Sequence, residues 1–145
     1  MKGTSLKRGA NIGIRFMSVA CAFVLFAFAA ADGAWLTKVP AKDHERQNPY
    51  HEQDDAIAAG GRIFVDHCAQ CHGGDANGTK KRPPLRSERV QQQATEGDLH
   101  WLLVNGNMKK GMPSWAKLPD QQLWQVITYV RSLGAGVPAP AGTQE

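Results

Sequence analysis

Cys68, Cys71 and His72 stand in the stretch "CAQCH", and three chemistries share this pattern of thiols and imidazole. A structural zinc site needs four ligands in a tetrahedron. Cys68 and Cys71 supply two, but His72 is adjacent to Cys71 and is poorly placed to reach the same ion. His44, His51, His67 and His100 form no second C-x-x-C or H-x-x-x-H pair. A redox dithiol would need a βαβ setting, whereas the residues before Cys68 follow a helical pattern. The third chemistry is covalent haem attachment. In C-x-x-C-H both thiols bond to the vinyl groups of one haem, and the next imidazole binds its iron. Thiols three apart at a helix end lie on one face and carry the histidine beneath the ring. The sequence therefore points to one haem c, held by Cys68, Cys71 and His72.

The elements that must position these residues are short. "DAIAAGGRIFVDHCAQC" places Ile57, Gly60, Gly61, Phe64 and Cys68 at three- and four-residue spacing, the stripe of one helix face. Two glycines inside a helix cost roughly 1 kcal/mol each against alanine, which a close backbone approach would offset. "GGDANGTKKRPPL" reads as loop. "TEGDLHWLLVNG" reads as a helix capped by Thr95 with Asp98, lined by Leu99, Leu102 and Leu103, and ended by Gly106. In it His100 falls on the polar face, where solvation is expected. "NMKKGMPSWAKL" is loop. "PDQQLWQVITYVRSLG" is the clearest helix, started by Pro119 and Asp120, lined by Leu123, Val126, Ile127 and Val130, and stopped at Gly134. So small an all-α domain has a marginal apolar core, and a haem would fill it.

The N-terminus differs from the rest. Lys2, Lys7, Arg8 and Arg15 precede an uncharged run from Phe16 to Ala31 that ends in small residues. That is the pattern of an export signal. Its sixteen residues fall short of the roughly 20 that span a bilayer, so both a cleaved signal and an uncleaved anchor stay open for 1–31. Cys21 lies inside the run and not after it, which argues against a lipidated cysteine. The formal charge of +4 comes from the four basic residues of this segment. Beyond it 13 basic residues meet 13 acidic ones, so the basic pI carries no expectation of nucleic acid as a partner. Two local clusters remain, Lys80, Lys81, Arg82, Arg86 and Arg89, and Lys109 with Lys110, open to reading as solvated loop or as a docking surface for an acidic partner. Residues 32–55 read as a linker or wrapping extension, 56–134 as the domain, and 135–145 as a disordered tail.

"GGRIFVDHCAQCHGGDANG", "LLVNGNMKKGMPSW" and "LWQVITYVRSLG" resemble the class I cytochrome c family, small single-haem electron carriers. The resemblance runs from about Ala56 to Leu133. It implies an all-α fold of three to five short helices around one covalently bound haem, with Gly60 and Phe64 crossing the last helix near Tyr129. It also implies that the carbonyl of Pro83, with Pro84 as competitor, accepts a hydrogen bond from the other nitrogen of His72, fixing the tautomer. "GMPSW" is similar to the family's ligand loop, which makes Met112 the second axial iron ligand beside His72, ahead of Met108 and His100. His/Met ligation leaves no open position and suits single-electron exchange. The expected function is electron transfer, without enzymatic activity, between a redox donor and acceptor, in the periplasm or at the periplasmic face of the inner membrane. The alternative is the haem subunit of a membrane-bound oxidase or of a periplasmic dehydrogenase. A ligand-binding or peroxidase-like haem protein would need an open iron.

Overall fold

A computed structural model of the chain describes residues 34–80 and 82–136. The signal or anchor read at 1–31, with Met17 and Cys21, lies outside the described residues, as do Lys81 and the tail after Gly136. Five α-helices are described: α1 Ala41–His44, α2 Asp54–His67, α3 Ala69–His72, α4 Glu96–Asn105 and α5 Asp120–Gly134. Turns of 3-10 type at Leu36–Lys38 and Met108–Lys110 and a π turn at Arg89–Gln93 join them. The only β pairing among the described residues is two isolated bridges, Thr79 with Arg82 and Asn107 with Met112. The fold is all-α, as the resemblance implies. No helix of the described residues is long and apolar enough to cross a membrane.

The centre of the molecule is the crossing of α2 and α5. Phe64 is fully buried, and its ring lies 5.2 Å from that of Tyr129 at 48°. Ile127, Leu133, Trp124, Val126 and Leu123 complete the buried face of α5, the stripe that its 3.6-residue spacing dictates. Gly60 explains how closely the helices meet. A Cβ there would lie 2.0 Å from the Gln125 carbonyl oxygen and 2.8 Å from Tyr129 Cβ. Because the obstacle is backbone, Gly60→Ala must push the helices apart. Overpacking of this kind costs about 1–3 kcal/mol, against a gain of about 1 kcal/mol in helix propensity. Net destabilisation is expected in chemical denaturation. An unchanged or raised midpoint would mean that the crossing is not tight.

The helix ends follow local chemistry. Thr95 and Asp98 form a reciprocal capping box at α4: Asp98 N donates to Thr95 Oγ1 at 3.1 Å and Thr95 N to Asp98 Oδ2 at 2.7 Å. α2 stops at His67, and Cys68, at φ −115°, is the hinge from which α3 starts.

The segment before α2 wraps the domain. A compact unit begins at Trp35, and α1 with the residues after it forms a strap over α4 and α5. Asn48 is buried and donates to Glu96 Oε1 and Thr128 Oγ1. Thr95 Oγ1 donates to the His44 carbonyl at 2.9 Å, and His44 Nδ1 meets Asp98 Oδ1 at 2.9 Å. Gly97 admits the strap, since a Cβ there would lie 2.0 Å from the Asp43 carbonyl oxygen. The π turn at Arg89–Gln93 has no counterpart in the sequence reading. Tertiary contacts hold it: Arg131 donates to the Val90 and Ala94 carbonyls, and Gln91 Nε2 donates to those of Leu85 and Val130.

Candidate haem-binding site

The end of α2 and the single turn of α3 bring Cys68, Cys71 and His72 together. His72 N donates to the Cys68 carbonyl at 2.9 Å and Cys71 N to the same oxygen at 3.1 Å. The two thiols and the imidazole thus share one helical turn. Gly73, at φ +81°, ends that turn, and Gly78 N returns to the His72 carbonyl at 2.8 Å.

Cys68 is half-buried and Cys71 exposed. Burial, then the neighbouring Cys71, pushes the Cys68 thiol up to about 12. That is opposite in sign to the lowered pKa of a reactive redox dithiol. Among the described residues no three His, Cys, Asp or Glu side chains gather as a metal-binding group.

His72 Nδ1 lies 3.0 Å from the Pro83 carbonyl oxygen. A carbonyl only accepts, so Nδ1 carries the proton and Nε2 presents its lone pair. Burial holds the imidazole below its ordinary pKa; the Pro83 bond opposes this and the Arg82 charge adds to it. A neutral imidazole with a free Nε2 is what a metal requires.

Met112 lies half-buried in a loop closed on itself, with Asn107 N donating to the Met112 carbonyl at 2.8 Å and Met112 N to that of Asn107 at 3.1 Å. Trp115 N donates to the Leu103 carbonyl at 2.8 Å, which ties the loop to α4. The Trp115 ring packs against His67, centroids 5.2 Å apart. Met108 is 74% exposed on the 3-10 turn.

His100 overturns the expectation of a solvated side chain. It is 3% exposed and stacks on Trp124, centroids 4.2 Å apart at 25°. Arg46 donates to its Nδ1 at 2.9 Å, and its Nε2 donates to Asp120 Oδ1 at 2.7 Å. Both ring nitrogens are engaged. The face of α4 that reads as polar is covered by the strap, whose arrival no local periodicity signals. Burial lowers the His100 pKa, opposed first by the Asp120 hydrogen bond and reinforced by Arg46. An unfolded His100 therefore binds a proton more readily than the folded one. Its contribution to stability is complete above the ordinary pKa of about 6.5 and declines as pH falls towards the lowered folded value. The thermal midpoint of the parent is expected to fall between pH 7.5 and 5.5 by more than that of His100→Gln. Equal falls in the two proteins would show that His100 contributes nothing to the pH dependence.

The basic clusters are not simply solvated. Arg82 donates to the Lys110 carbonyl at 2.7 Å, and Arg86 donates to those of Asp75 and Leu133. Arg82 thus meets the Met112 loop, a contact between two segments that read as separate loops. Only a basic residue beside the candidate proline signalled it.

Residues 55–130, slightly over half of the chain, match the family described as cytochrome c oxidase, cbb3-type, subunit III. The chain belongs to this c-type cytochrome family. Its cofactor is covalently bound haem c, and the thiols and neutral imidazole of the Cys68–His72 turn are donors of the right chemistry for that group. The cytochrome is 30% identical over 104 residues to the cbb3-type cytochrome c oxidase subunit FixP of Rhizobium meliloti (strain 1021), covering 70% of this chain and 32% of the relative. It is 31% identical over 94 residues to cytochrome c550 of Pseudomonas aeruginosa, covering 60% and 62%. Subunit CcoP of the cbb3-type oxidase of Rubrivivax gelatinosus is 33% identical over 84 residues, covering 57% and 27%. The chain spans less than two thirds of each of these relatives. No solved structure matches it. The cytochrome's strap, Trp35 to Gln53, lies before the residues that match the family.

Proposed function

We propose that this cytochrome passes single electrons between periplasmic or membrane-bound redox proteins and performs no other chemistry. The observation that carries the reading is the His72 Nδ1–Pro83 bond, which leaves the Nε2 lone pair free on the turn that also bears Cys68 and Cys71. Cys68 and Cys71 would form the two thioether bonds, with His72 and Met112 as axial ligands. Haem bound there supplies one-electron redox chemistry. The chain's own part is to hold the axial side chains, keep the imidazole in one tautomer and exclude water from one side. Met112, as a second ligand beside His72, would raise the potential and leave the iron without a free position.

A second reading is that the chain is itself the haem subunit of a membrane-bound respiratory oxidase, favoured by relatives named as cbb3-type oxidase subunits. Purification from source membranes separates the two. A protein that leaves the membrane without other subunits is a carrier, and one that co-purifies stoichiometrically with an oxidase is a subunit. The N-terminal residue of the isolated protein then decides between export with cleavage, starting near Asp32, and an anchor retaining Met1. Recovery from the cytoplasm would contradict both, and carbon monoxide uptake by the unaltered reduced protein would end the carrier reading.

A further inference from the structure

The loop that carries Pro83 and the loop that carries Met112 are far apart in sequence, and the Arg82 side chain joins them. Arg82 has its backbone fixed in a two-way bridge with Thr79: Thr79 N donates to the Arg82 carbonyl at 3.0 Å and Arg82 N to that of Thr79 at 3.1 Å. The carbonyl of the next residue, Pro83, accepts a hydrogen bond from His72 Nδ1. The Arg82 side chain leaves this bridge for the other loop, where Nη1 donates to the Lys110 carbonyl at 2.7 Å. Its guanidinium fills the space beside Gly111, where a Cβ would lie 2.8 Å from Nη2 and 3.1 Å from Nη1. Gly111, at φ +71°, allows both the left-handed turn and this close approach. Met112 follows directly.

We propose that Arg82 is a positioning residue that ties the Met112 loop to the loop holding His72, and so sets how often the Met112 side chain leaves its place. This rests on the reading of Met112 as an axial ligand. Surface loops open locally at small free-energy cost, and the Asn107–Met112 pairing closes this loop only on itself. A charged donor to a carbonyl is among the stronger hydrogen bonds, and a planar guanidinium is suited to such a fixed contact. Without it the loop keeps its own pairing and its tie to α4 but loses this hydrogen bond from the Thr79–Arg82 bridge.

The test uses the full-length holoprotein with Arg82→Ala, Arg82→Lys and Met112→Ala. Three readouts are followed: the rate of cyanide binding to the ferric protein, the weak long-wavelength band of thioether-ligated ferric haem, and the thermal midpoint. Arg82→Ala is expected to bind cyanide about tenfold faster, equivalent to about 1.4 kcal/mol in the opening equilibrium, and to weaken the band. Arg82→Lys, which keeps one charged donor, is expected to return both towards the parent. A lower thermal midpoint in Arg82→Ala with band and cyanide rate unchanged, while Met112→Ala binds cyanide fast, would overturn the tether and leave the ligand assignment standing. If Met112→Ala binds cyanide no faster than the parent, the ligand assignment fails and the tether with it. Should Arg82→Ala give no holoprotein, Arg82→Gln and Arg82→Lys carry the comparison. Gln is expected to bind cyanide faster than Lys, and equal rates would overturn the proposal.

Discussion

Met112→Ala is expected to abolish the long-wavelength band of the ferric protein, lower the reduction potential and make the reduced protein bind carbon monoxide stoichiometrically. A thioether ligand favours the reduced iron, so its loss lowers the potential. A tenfold loss of that preference corresponds to about 59 mV for one electron, and at least that much is expected. Met108→Ala should change none of the three, because Met108 stands exposed on the turn before Lys109. The half-buried Met112 is held by its pairing with Asn107 and lies two residues beyond the carbonyl that Arg82 grips. Reversed behaviour of the two variants would move the ligand to Met108 without disturbing the carrier reading. Carbon monoxide binding by the parent would instead replace that reading with a ligand-binding or catalytic one.

The second large effect concerns attachment. Acid-denatured parent protein should keep all of its colour through solvent extraction, with a mass one haem above that of the chain. In the double variant Cys68→Ala, Cys71→Ala all haem should become extractable, and each single variant should lower the holoprotein yield. Extractable haem, or zinc, in the parent would sink the thioether assignment. Stability should fall together with attachment. The buried apolar residues are concentrated along α5 and its crossing with α2. By contrast, Ile57, Ile63, Cys68, Leu85 and Leu103 are only half-buried and pack at the edge of that core. Fully burying one such side chain contributes about 1.5–3 kcal/mol. A haem covering several of them would therefore change the stability of a domain this small by a large fraction.

The features legible in the sequence are mostly those set within a few residues. The C-x-x-C-H spacing places thiols and imidazole on one turn through the i-to-i+4 bond of His72 to Cys68. The capping box at Thr95 needs only residues three apart. The apolar stripe of α5 needs only its period, and Gly60 marks a close approach even though the sequence does not say of what. The resemblance supplied the partner, and the coordinates place the Gln125 backbone there.

What tertiary structure decided depends on segments meeting from far apart in the chain. The polar stretch before α2 has no sustained periodicity, yet it becomes a strap because Gly97 leaves room for the Asp43 backbone and Asp98 and Glu96 offer acceptors to His44 and Asn48. That arrival turns His100 from a solvated side chain into a buried one between Arg46 and Asp120. The π turn at Arg89–Gln93 has little local propensity and is held by carbonyl contacts from Arg131. Arg82 reads as one basic residue in a cluster, and nothing in that cluster signals that its guanidinium meets the Lys110 carbonyl. Local spacing determined the chemistry of the Cys68–His72 turn. The placement of the Met112 loop depends on long-range hydrogen bonds, from Arg82 to the Lys110 carbonyl and from Trp115 to that of Leu103, whose partners cannot be paired from composition or period because many donors and many carbonyls are equally eligible.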